Sequence, residues 1–443
     1  MTDTLMDSES ILLNLKIKSL NPMQIATQEA IAEHDDILLL SNTGSGKTLA
    51  FLIPLIQSIN TANLNITQAL ILVPSRELAL QIESVLKQIQ PGCKISCCYG
   101  GHKREIEENN LIQAPTIVIA TAGRMADHLR RGNIKTNDIS FLVLDEFDKI
   151  LELGFQEEME FILSQLPSIK KKMLTSATNA IEVPAYVKMN NPHLLNFLSE
   201  EPKDTITLSI KRIIAPENDK IDTLFVLLCS LKDTSSIVFC NHRDAVERTH
   251  LLLMEKGILN VFYHGGMEQQ DRETALCKFK NGTSNILVTT DLASRGLDIA
   301  NIRSVIHYHL PLTEDSFTHR NGRTARMDET GSVFVITGPE EEVPDYLLSC
   351  CQDMTLPETY EIPEKPKWST LFIAAGKKDK INKIDIVGFL MNKGNLKKDE
   401  IGLIDVKDFS AFVAIRKSKI GLVIESVKNE KIKNKKVKIA IAR

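Results

Sequence analysis

Short apolar runs rich in β-branched residues alternate with longer amphipathic stretches along most of the chain. The apolar runs lie at residues 37–40, 69–73, 116–120 and 141–144, and again at 236–239, 285–288 and 305–308. Apolar strands that alternate with helices are typical of parallel sheets covered by helices on both faces. The pattern therefore predicts an α/β fold with two doubly wound domains, over residues 35–198 and 206–350.

The last part of the chain follows a different pattern of short strands. Strands are predicted at 371–374, 401–406, 409–415 and 437–441, and amphipathic helices at 383–392 and 419–428. This β-α-β-β-α-β order predicts an α+β domain of the ferredoxin-like type, which is also the layout of RRM-like RNA-binding modules.

Two polar segments divide the chain. Residues 199–205 include Pro202 and are expected to form a hinge, while residues 355–368 include three prolines and are expected to form a semi-rigid linker. We therefore expect three domains, at residues 1–198, 206–354 and 369–443.

The composition is that of a globular protein and excludes several classes. Of the 443 residues, 43% are hydrophobic and 25% are charged, and no apolar run approaches the roughly 18 residues of a membrane span. The acidic start predicts no export signal, so we expect a cytoplasmic protein that does not contact a membrane. The eight cysteines contain no CxxC pair, so reduced thiols are expected rather than disulfides or a zinc site.

The charge is unevenly distributed. The whole chain carries −4, but residues 367–443 contain 19 lysines and arginines against 8 acidic residues, a net +11, which leaves −15 for the rest. A basic segment joined to an acidic body indicates a polyanionic partner, although a solvated lysine-rich surface is the alternative.

A phosphate-binding loop is predicted between the first apolar run and the helical pattern at 49–59. Glycines in this setting let backbone N–H groups converge on phosphate oxygens at a helix N-terminus. Lys47 can reach the β and γ phosphates, and Thr48 can ligate Mg²⁺. The residues expected to contact the nucleotide are Thr43, Gly44, Ser45, Gly46, Lys47 and Thr48.

Two carboxylates follow the apolar run at 141–144. At the carboxyl end of a strand, Asp145 can hold Mg²⁺ through water, and Glu146 can position and polarise the attacking water. Together with the loop, these residues predict an ATPase or GTPase of unspecified purpose.

Further motifs resemble the DEAD-box family of RNA helicases over about residues 15–350. The box itself reads Asp145-Glu146-Phe147-Asp148, with Phe147 in place of the family's alanine. Matching segments follow in the family's order at residues 74–78, 100–101, 121–124, 176–178, 238–241, 269–272, 290–298 and 319–326. The resemblance implies two RecA-like domains and an RNA helicase driven by ATP.

The same resemblance implies roles for single residues. Gln24 would read the adenine and so select ATP, although Asp7 stands where the family usually has an aromatic residue that stacks on the base. Asp298 would also belong to the nucleotide site. Residues that would face RNA are Pro74, Arg76, Gly100, Gly101, Thr121, Gly123, Arg124, Gln269, Arg272 and Thr290. Those that would couple nucleotide to RNA are Ser176, Thr178, His319 and Arg320.

Two arginines are identified by the resemblance as arginine fingers. Arg323 and Arg326 would stabilise charge on the γ phosphate only when the two domains close, a contribution of roughly 10³ to 10⁵ in rate. Hydrolysis would therefore depend on closure. Asn321 and Ala325 depart from the family's motif here.

Residues 369–443 resemble the C-terminal domain of the DbpA-type bacterial helicases, an RRM-like module that binds a hairpin of 23S ribosomal RNA. Basic residues in its matching segments, Lys377, Lys378, Lys433 and Lys435, would contact the RNA. Ser410 and Ile415 occupy positions where an RRM usually has aromatic rings, so the stacking platform is incomplete. Phe372 and Phe412 remain candidates either for base stacking or for the core.

The expectation is therefore a monomeric ATP-dependent RNA helicase with Mg²⁺ as metal. It would unwind short duplexes locally, directed to 23S rRNA in the pre-ribosomal large subunit. An ATP-gated RNA clamp with little unwinding activity is the alternative, and a DNA translocase is disfavoured by the RRM-like domain.

Overall fold

The computed structural model describes residues 5–42, 44–101, 104–178, 183–198, 209–291, 302–324, 331–348 and 350–442. Among these, the first unit lies within residues 1–205 and the second within residues 206–443. Each unit is a separate body with its own core.

The described part of the first unit is a parallel sheet of seven strands covered by helices. The strands are β1 (Asp36–Ser41), β2 (Ala69–Val73), β3 (Ile95–Cys98), β4 (Ile117–Thr121), β5 (Phe141–Leu144), β6 (Lys171–Ser176) and β7 (His193–Phe197). The helices are α1 (Ser8–Leu15), α2 (Pro22–Glu33), α3 (Lys47–Gln57), α4 (Arg76–Ile89), α5 (Arg104–Leu111), α6 (Ala122–Arg130), α7 (Phe147–Glu152) and α8 (Gln156–Ser164). The strand order is β3-β4-β2-β5-β6-β1-β7.

The central strands are apolar on both faces because helices cover the sheet on both sides. In β2, Ile71 packs into one core cluster, whereas Leu70 and Leu72 pack into the other on the opposite face. All five residues of this strand are fully buried.

The second unit begins with another parallel sheet. Its strands are β8 (Ser209–Ile214), β9 (Ser236–Cys240), β10 (Val261–Tyr263), β11 (Ile286–Thr290), β12 (Ser304–His307), β13 (Ser332–Thr337) and β14 (Gln352–Asp353), in the order β10-β11-β9-β12-β13-β8-β14. Its described helices are α9 (Ile221–Leu231), α10 (Arg243–Glu255), α11 (Gln269–Lys280), α12 (Glu314–Asn321) and α13 (Asp345–Leu348).

The chain then forms an antiparallel sheet in the order β16-β17-β15-β20. Its elements are β15 (Trp368–Ile373), α14 (Lys383–Asn392), β16 (Ile401–Val406), β17 (Ala411–Arg416), α15 (Ile420–Val427) and β20 (Ile439–Ile441). A short hairpin, β18 (Lys431–Ile432) and β19 (Lys435–Lys436), precedes β20. The predicted fold class, two parallel α/β sheets plus a ferredoxin-like α+β domain, is confirmed.

The segment before this domain packs along the second parallel-sheet domain. Leu356 packs against the core of that domain, and the ring of Tyr360 meets Phe225 edge-on at 5.4 Å between centroids. Further along, a Cβ atom at Gly257 would lie 3.9 Å from the Ile362 side chain. The segment expected to be a linker thus follows the surface of the domain, and β15 begins at its last residue, Trp368.

The outer face of the antiparallel sheet is also covered. Phe412 is fully buried in a cluster with Cys277 of α11 and Ala442, and Phe372 packs against this cluster. Of the two roles left open by the sequence, Phe412 therefore has the packing role. Among the described residues, none of the helices combines the length and apolar character needed to span a bilayer.

Candidate functional site

The phosphate-binding loop connects β1 to α3. Gly44 and Gly46 have φ angles of 86° and 94°, in the left-handed region that favours glycine. Gly46 is the N-cap of α3, so the first N–H groups of the helix are oriented as a phosphate site requires. Thr48 lies in the first turn of α3, whereas Thr43 lies outside the described residues.

The side chain of Lys47 is held in the loop. It is 8% exposed, and its ammonium donates to the Ser41 carbonyl at 2.7 Å. The Ser41 hydroxyl donates to the Ser45 hydroxyl at 2.6 Å, across the base of the loop. Ser41 stands at the position where phosphate-binding loops usually have their first glycine, and its contacts with Lys47 and Ser45 link both ends of this loop.

Helix α2 holds the loop from the other side. Gln24 donates to the Gly46 carbonyl at 3.1 Å, and Asn21 donates to the Ser45 carbonyl at 2.9 Å. The two residues also form a reciprocal capping box at the start of α2. A Cβ atom at Gly46 would lie 2.7 Å from the Gln24 amide nitrogen. A side chain at this position would therefore clash with Gln24, in addition to the strain of the positive φ angle.

The Gln24 side chain keeps the capacity to read a base. Within the described part of the chain, its Oε1 accepts from the Asn21 backbone N–H and its Nε2 donates to the Gly46 carbonyl, which leaves one acceptor and one donor position of the amide. Asn21 was not predicted as a site residue, although the Asn-Pro-Met-Gln pattern is a capping-box signal. Asp7, at the position of the missing aromatic residue, caps α1 by accepting from Ser10 N–H at 2.8 Å.

Asp145 is 3% exposed at the end of β5 and is oriented by Thr175 of β6. The Thr175 hydroxyl donates to Asp145 Oδ1 and accepts from the Glu146 backbone N–H at 3.1 Å. Burial raises the pKa of the Asp145 carboxyl, against the opposing effects of the Thr175 hydroxyl and the Lys47 ammonium. Thr175 is a site residue that the sequence motifs did not identify.

The unusual Phe147 is a core residue. It is fully buried in the cluster on one face of the sheet, beneath the turn that carries Asp145 and Glu146. Next to it, the Asp148 carboxylate is 7% exposed and lies 3.3 Å from the Lys149 ammonium, while burial raises its pKa. The residue that replaces the family's alanine therefore has a packing role below the turn that carries the two carboxylates.

The motif at the end of β6 forms a local turn. The Ser176 hydroxyl donates to the Thr178 carbonyl and accepts from its N–H, both at 3.0 Å. Since β6 lies between β5 and β1, this turn lies beside both Asp145 and the phosphate-binding loop.

The segments expected to face RNA in the first unit follow β2, β4 and β3, which are neighbours in the sheet. Arg76 begins α4 after Ser75, whose hydroxyl caps the helix. The Arg76 guanidinium lies against Gly101, because a Cβ atom there would be 2.1 Å from its Nη1. Pro74 is buried, Gly101 is exposed, and Gly100 and Thr121 are partly exposed.

Arg124 and the glycine pair are linked through a buried carboxylate. Glu107 of α5 is 2% exposed; it accepts from the Tyr99 N–H at 2.8 Å, contacts Arg124 at 3.5 Å and hydrogen-bonds His128 at 2.7 Å. Cys98 lies within 4.8 Å of the Glu107 and His128 ligand atoms, but this carboxylate and imidazole are already hydrogen-bonded. The cluster therefore fits a positioning network for Arg124 better than a metal site.

In the second unit, Arg320 is only 1% exposed, and its guanidinium hydrogen-bonds residues from several segments. Its guanidinium donates to Asp291, which follows β11, to Asn241 Oδ1 at 2.8 Å and to the His309 carbonyl at 2.7 Å. It also contacts His307 Nδ1 at 3.3 Å, and burial together with this cation lowers the pKa of His307 to about 3. Arg320 thus joins the carboxyl ends of β9, β11 and β12.

Two further residues of the motif at 319–326, Asn321 and Arg323, are buried in the second unit. Asn321, a departure from the family pattern, accepts from His307 Nε2 at 2.9 Å, which fixes the neutral imidazole. Arg323 follows at 6% exposure. His319 is partly exposed in α12, and Arg326 and Asp298 lie outside the described residues.

The remaining expected RNA contacts of this unit lie near β10 and β11. Gln269 begins α11, and Thr290 ends β11 at 8% exposure. Arg272 is 5% exposed, donates to the Tyr263 hydroxyl at 2.7 Å and lies over its ring. In this structure the Arg272 side chain therefore packs within the unit.

In the C-terminal domain, the four expected lysines lie on two adjoining segments. Lys377 and Lys378 are exposed in the loop after β15. Lys433 and Lys435 belong to the β18–β19 hairpin, where they pair with Asp385 at 2.7 Å and Asp379 at 3.1 Å.

Comparison with known proteins agrees with this arrangement. Family models match three regions in order: DEAD/DEAH box helicase at 21–185, helicase conserved C-terminal domain at 219–328, and DbpA RNA binding domain at 370–441. ATP-dependent RNA helicase DbpA of Bacillus subtilis (strain 168) is 32% identical over 93% of this chain and 92% of that protein. DbpA of Escherichia coli (strain K12) is 32% identical over 96% and 95%, respectively.

A solved structure of Mss116p bound to single-stranded RNA and AMP-PNP is similar with a TM-score of 0.65 and 26% identity, over 76% of this chain and 73% of that one. The resemblance seen in the motifs is confirmed by these matches. The chain belongs to the DEAD-box family of ATP-dependent RNA helicases and carries a DbpA-type RNA-binding domain.

Proposed function

We propose that this protein unwinds short RNA duplexes with ATP and Mg²⁺ and is directed by its C-terminal domain to 23S rRNA during assembly of the large ribosomal subunit. The proposal includes action as a cytoplasmic monomer. The proposal rests on one observation: at the carboxyl edge of the first unit's sheet, nucleotide-binding candidates and RNA-binding candidates lie on two neighbouring groups of strands. The ends of β1, β6 and β5 bear the phosphate loop and carboxylates, and the ends of β2, β4 and β3 bear the RNA-facing segments.

The residues at the nucleotide half of this edge fit a magnesium nucleotide. The Thr48 hydroxyl and the Asp145 carboxylate are oxygen donors, the ligand type that Mg²⁺ prefers beside phosphates. When bound, Mg²⁺ would neutralise charge on the β and γ phosphates. Lys47 would exchange its bond to Ser41 for phosphate oxygens, and Glu146 would orient the attacking water.

Replacing Thr175 by valine should raise the Mg²⁺ concentration for half-maximal ATP hydrolysis by about 10- to 100-fold. Valine fills the same buried volume but removes the hydroxyl that orients Asp145 and accepts from Glu146. Phosphate release in saturating RNA, measured across a Mg²⁺ titration, checks this. Thr175→Ser keeps the hydroxyl and should remain close to wild type; a valine variant with an unchanged Mg²⁺ requirement would contradict the role given to Asp145.

The RNA-facing segments support binding without base readout. Small residues such as Gly100, Gly101 and Thr121 let backbone N–H groups approach phosphates, and contacts of this kind position a strand without reading its sequence. Preference for a particular RNA would therefore come from the C-terminal domain. Local unwinding is tested by strand displacement on a short duplex; ATP hydrolysis without strand release would favour the RNA clamp.

Targeting to 23S rRNA should appear as selective ATPase stimulation. We expect hairpin fragments of 23S rRNA to stimulate the full-length protein at lower concentration than generic RNA of equal length. Alanine at the four expected lysines should raise the concentration of such a fragment for half-maximal stimulation by about tenfold or more, since removing lysine–phosphate pairs weakens binding. The four positions are Lys377, Lys378, Lys433 and Lys435.

A matched control removes the same charge elsewhere in the domain. Lys397, Lys398, Lys417 and Lys428 are also exposed, and their alanine variant should keep the selective stimulation. If every RNA stimulates the wild-type protein equally, the rRNA target must be abandoned.

A further inference from the structure

The sheet face that RRM-like domains commonly use for RNA is occupied in this protein. Cys277 of α11 packs against Phe412 and donates to Asp405 at 3.7 Å, and Thr283 hydrogen-bonds Thr370 at 2.7 Å. Phe412 has no exposed surface. Bases cannot stack on Phe412 while α11 covers it, so another surface of the domain is the better candidate for RNA binding.

The exposure of the aromatic side chains identifies a different candidate. Residues 369–443 contain four aromatic residues, all phenylalanine and all within the described part of the chain. Phe412 and Phe389 are buried, and Phe372 is half-buried beside Phe412. Phe409 alone among the four is exposed, at 58%. A phenylalanine with this exposure on a lysine-rich domain is accessible to an RNA base.

Backbone hydrogen bonds hold Phe409 beside two of the expected RNA contacts. It lies in the tight turn between β16 and β17, which is closed by the Lys407 N–H donating to the Ser410 carbonyl at 2.8 Å. In the same turn, the carbonyls of Lys407 and Asp408 accept from the N–H groups of Lys377 and Lys378, each at 2.9 Å. The ring is therefore presented from a fixed turn rather than from a free loop.

The loop that carries these lysines also contacts the β18–β19 hairpin. Lys433 donates to the Lys380 carbonyl at 2.9 Å, and Lys435 pairs with Asp379 at 3.1 Å. We call residues 376–380, 407–410 and 431–436 the loop-edge surface. It contains eight lysines and two aspartates, a net +6, with Phe409 as its exposed ring.

We propose that Phe409 stacks on an unpaired base of RNA whose phosphates are held by the lysines of the loop-edge surface. This rests on the proposed function, in which the C-terminal domain binds a structured RNA. Aromatic stacking on splayed bases combined with lysine contacts to phosphates is the common chemistry of single-stranded RNA recognition. A hairpin loop or a bulge supplies such a base, whereas the interior of a duplex does not.

The test measures binding of the full-length protein to fluorescein-labelled hairpin RNAs that tile a 23S rRNA. Phe409→Ala should raise the dissociation constant for the tightest hairpin about 5- to 150-fold, the range for loss of one stacked base. Phe409→Leu should lose nearly as much affinity, because leucine has apolar volume but no π face. Phe409→Trp, which keeps an aromatic face, should bind with about wild-type affinity. Leu422→Ala, at another exposed apolar position of the domain, should bind as wild type.

Salt dependence separates stacking from charge. The slope of log Kd against log salt should be unchanged in Phe409→Ala. In Lys377→Ala or Lys378→Ala it should fall by roughly 1, because each of these variants removes one ammonium that neutralises an RNA phosphate. Wild-type affinity in Phe409→Ala, or full rescue by Phe409→Leu, would overturn the stacking role.

The outcomes also separate this inference from the proposed function. If the wild type selects one hairpin but Phe409→Ala binds it equally well, only the stacking role fails. If the wild type binds all RNAs alike yet Phe409→Ala weakens them all, the rRNA target fails and stacking stands. If neither effect is seen, both fail. Equal thermal unfolding midpoints of wild type and variants exclude a folding defect.

Discussion

Alanine at Arg326 should lower RNA-stimulated ATP turnover by about 10³- to 10⁵-fold, with Arg323→Ala having an effect of similar size. Charge develops on the γ phosphate as its bond to the leaving group breaks, and a guanidinium stabilises that charge in the transition state. The first unit supplies Lys47 and the carboxylates, while both arginines belong to the part of the chain assigned to the second domain. We therefore propose that turnover requires residues of both domains.

The measurement is kcat for phosphate release at saturating ATP and RNA. Arg326→Lys should recover little, because an ammonium lacks the planar fork that contacts two phosphate oxygens. Arg303→Ala, which removes the same charge from an exposed position in the second unit, should keep wild-type turnover. Because Arg323 is buried, its variant also needs an unfolding midpoint. Undiminished turnover in Arg326→Ala, or by residues 1–205 alone, would refute the requirement for residues of both domains.

The phosphate loop could be predicted from sequence because its requirements are local. Glycines at positive φ, a lysine and a threonine must all lie between one strand and one helix, and the order of residues 41–48 contains them directly. The same holds for Asp145 and Glu146, since the apolar run before them defines a strand end. The alternation of apolar and amphipathic segments likewise predicts parallel sheets covered by helices, whereas the strand order was not predicted.

Interactions between distant segments were not predictable in this way. Thr175 orients Asp145, which lies 30 residues earlier in the sequence, and Glu107 of α5 contacts Arg124 of α6. Thr175 and Glu107 themselves belong to none of the motifs recognised in the sequence. Whether Phe412 stacks on bases or packs depends on α11, more than 120 residues earlier in the chain. Phe409 is the opposite case, an exposed aromatic residue that the sequence pattern did not identify. The RRM pattern places its stacking aromatic residues on strands, whereas the Phe409 ring lies in a turn.

Glu146→Gln should slow hydrolysis by about 10²- to 10⁴-fold while ATP and RNA remain bound together. Glutamine has nearly the same shape, so the turn at Glu146, which has a φ angle of 50° and receives the Thr175 contact through its backbone, should be kept. What is lost is the negative charge that polarises the attacking water. The expected result is a long-lived complex, measured as slow dissociation of labelled RNA in the presence of ATP but not of ADP.

Asp145→Asn provides the matched comparison, since it removes one carboxylate charge from the adjacent position. Loss of the proposed metal-holding oxygen should weaken nucleotide binding itself, so this variant should fail to hold RNA even with ATP. The two variants would then separate the roles: Glu146 acts after ATP and RNA are bound, and Asp145 acts in binding. If Glu146→Gln releases RNA as fast as wild type while hydrolysis is blocked, release does not depend on hydrolysis. A cycle in which ATP cleavage releases the bound strand would then be wrong.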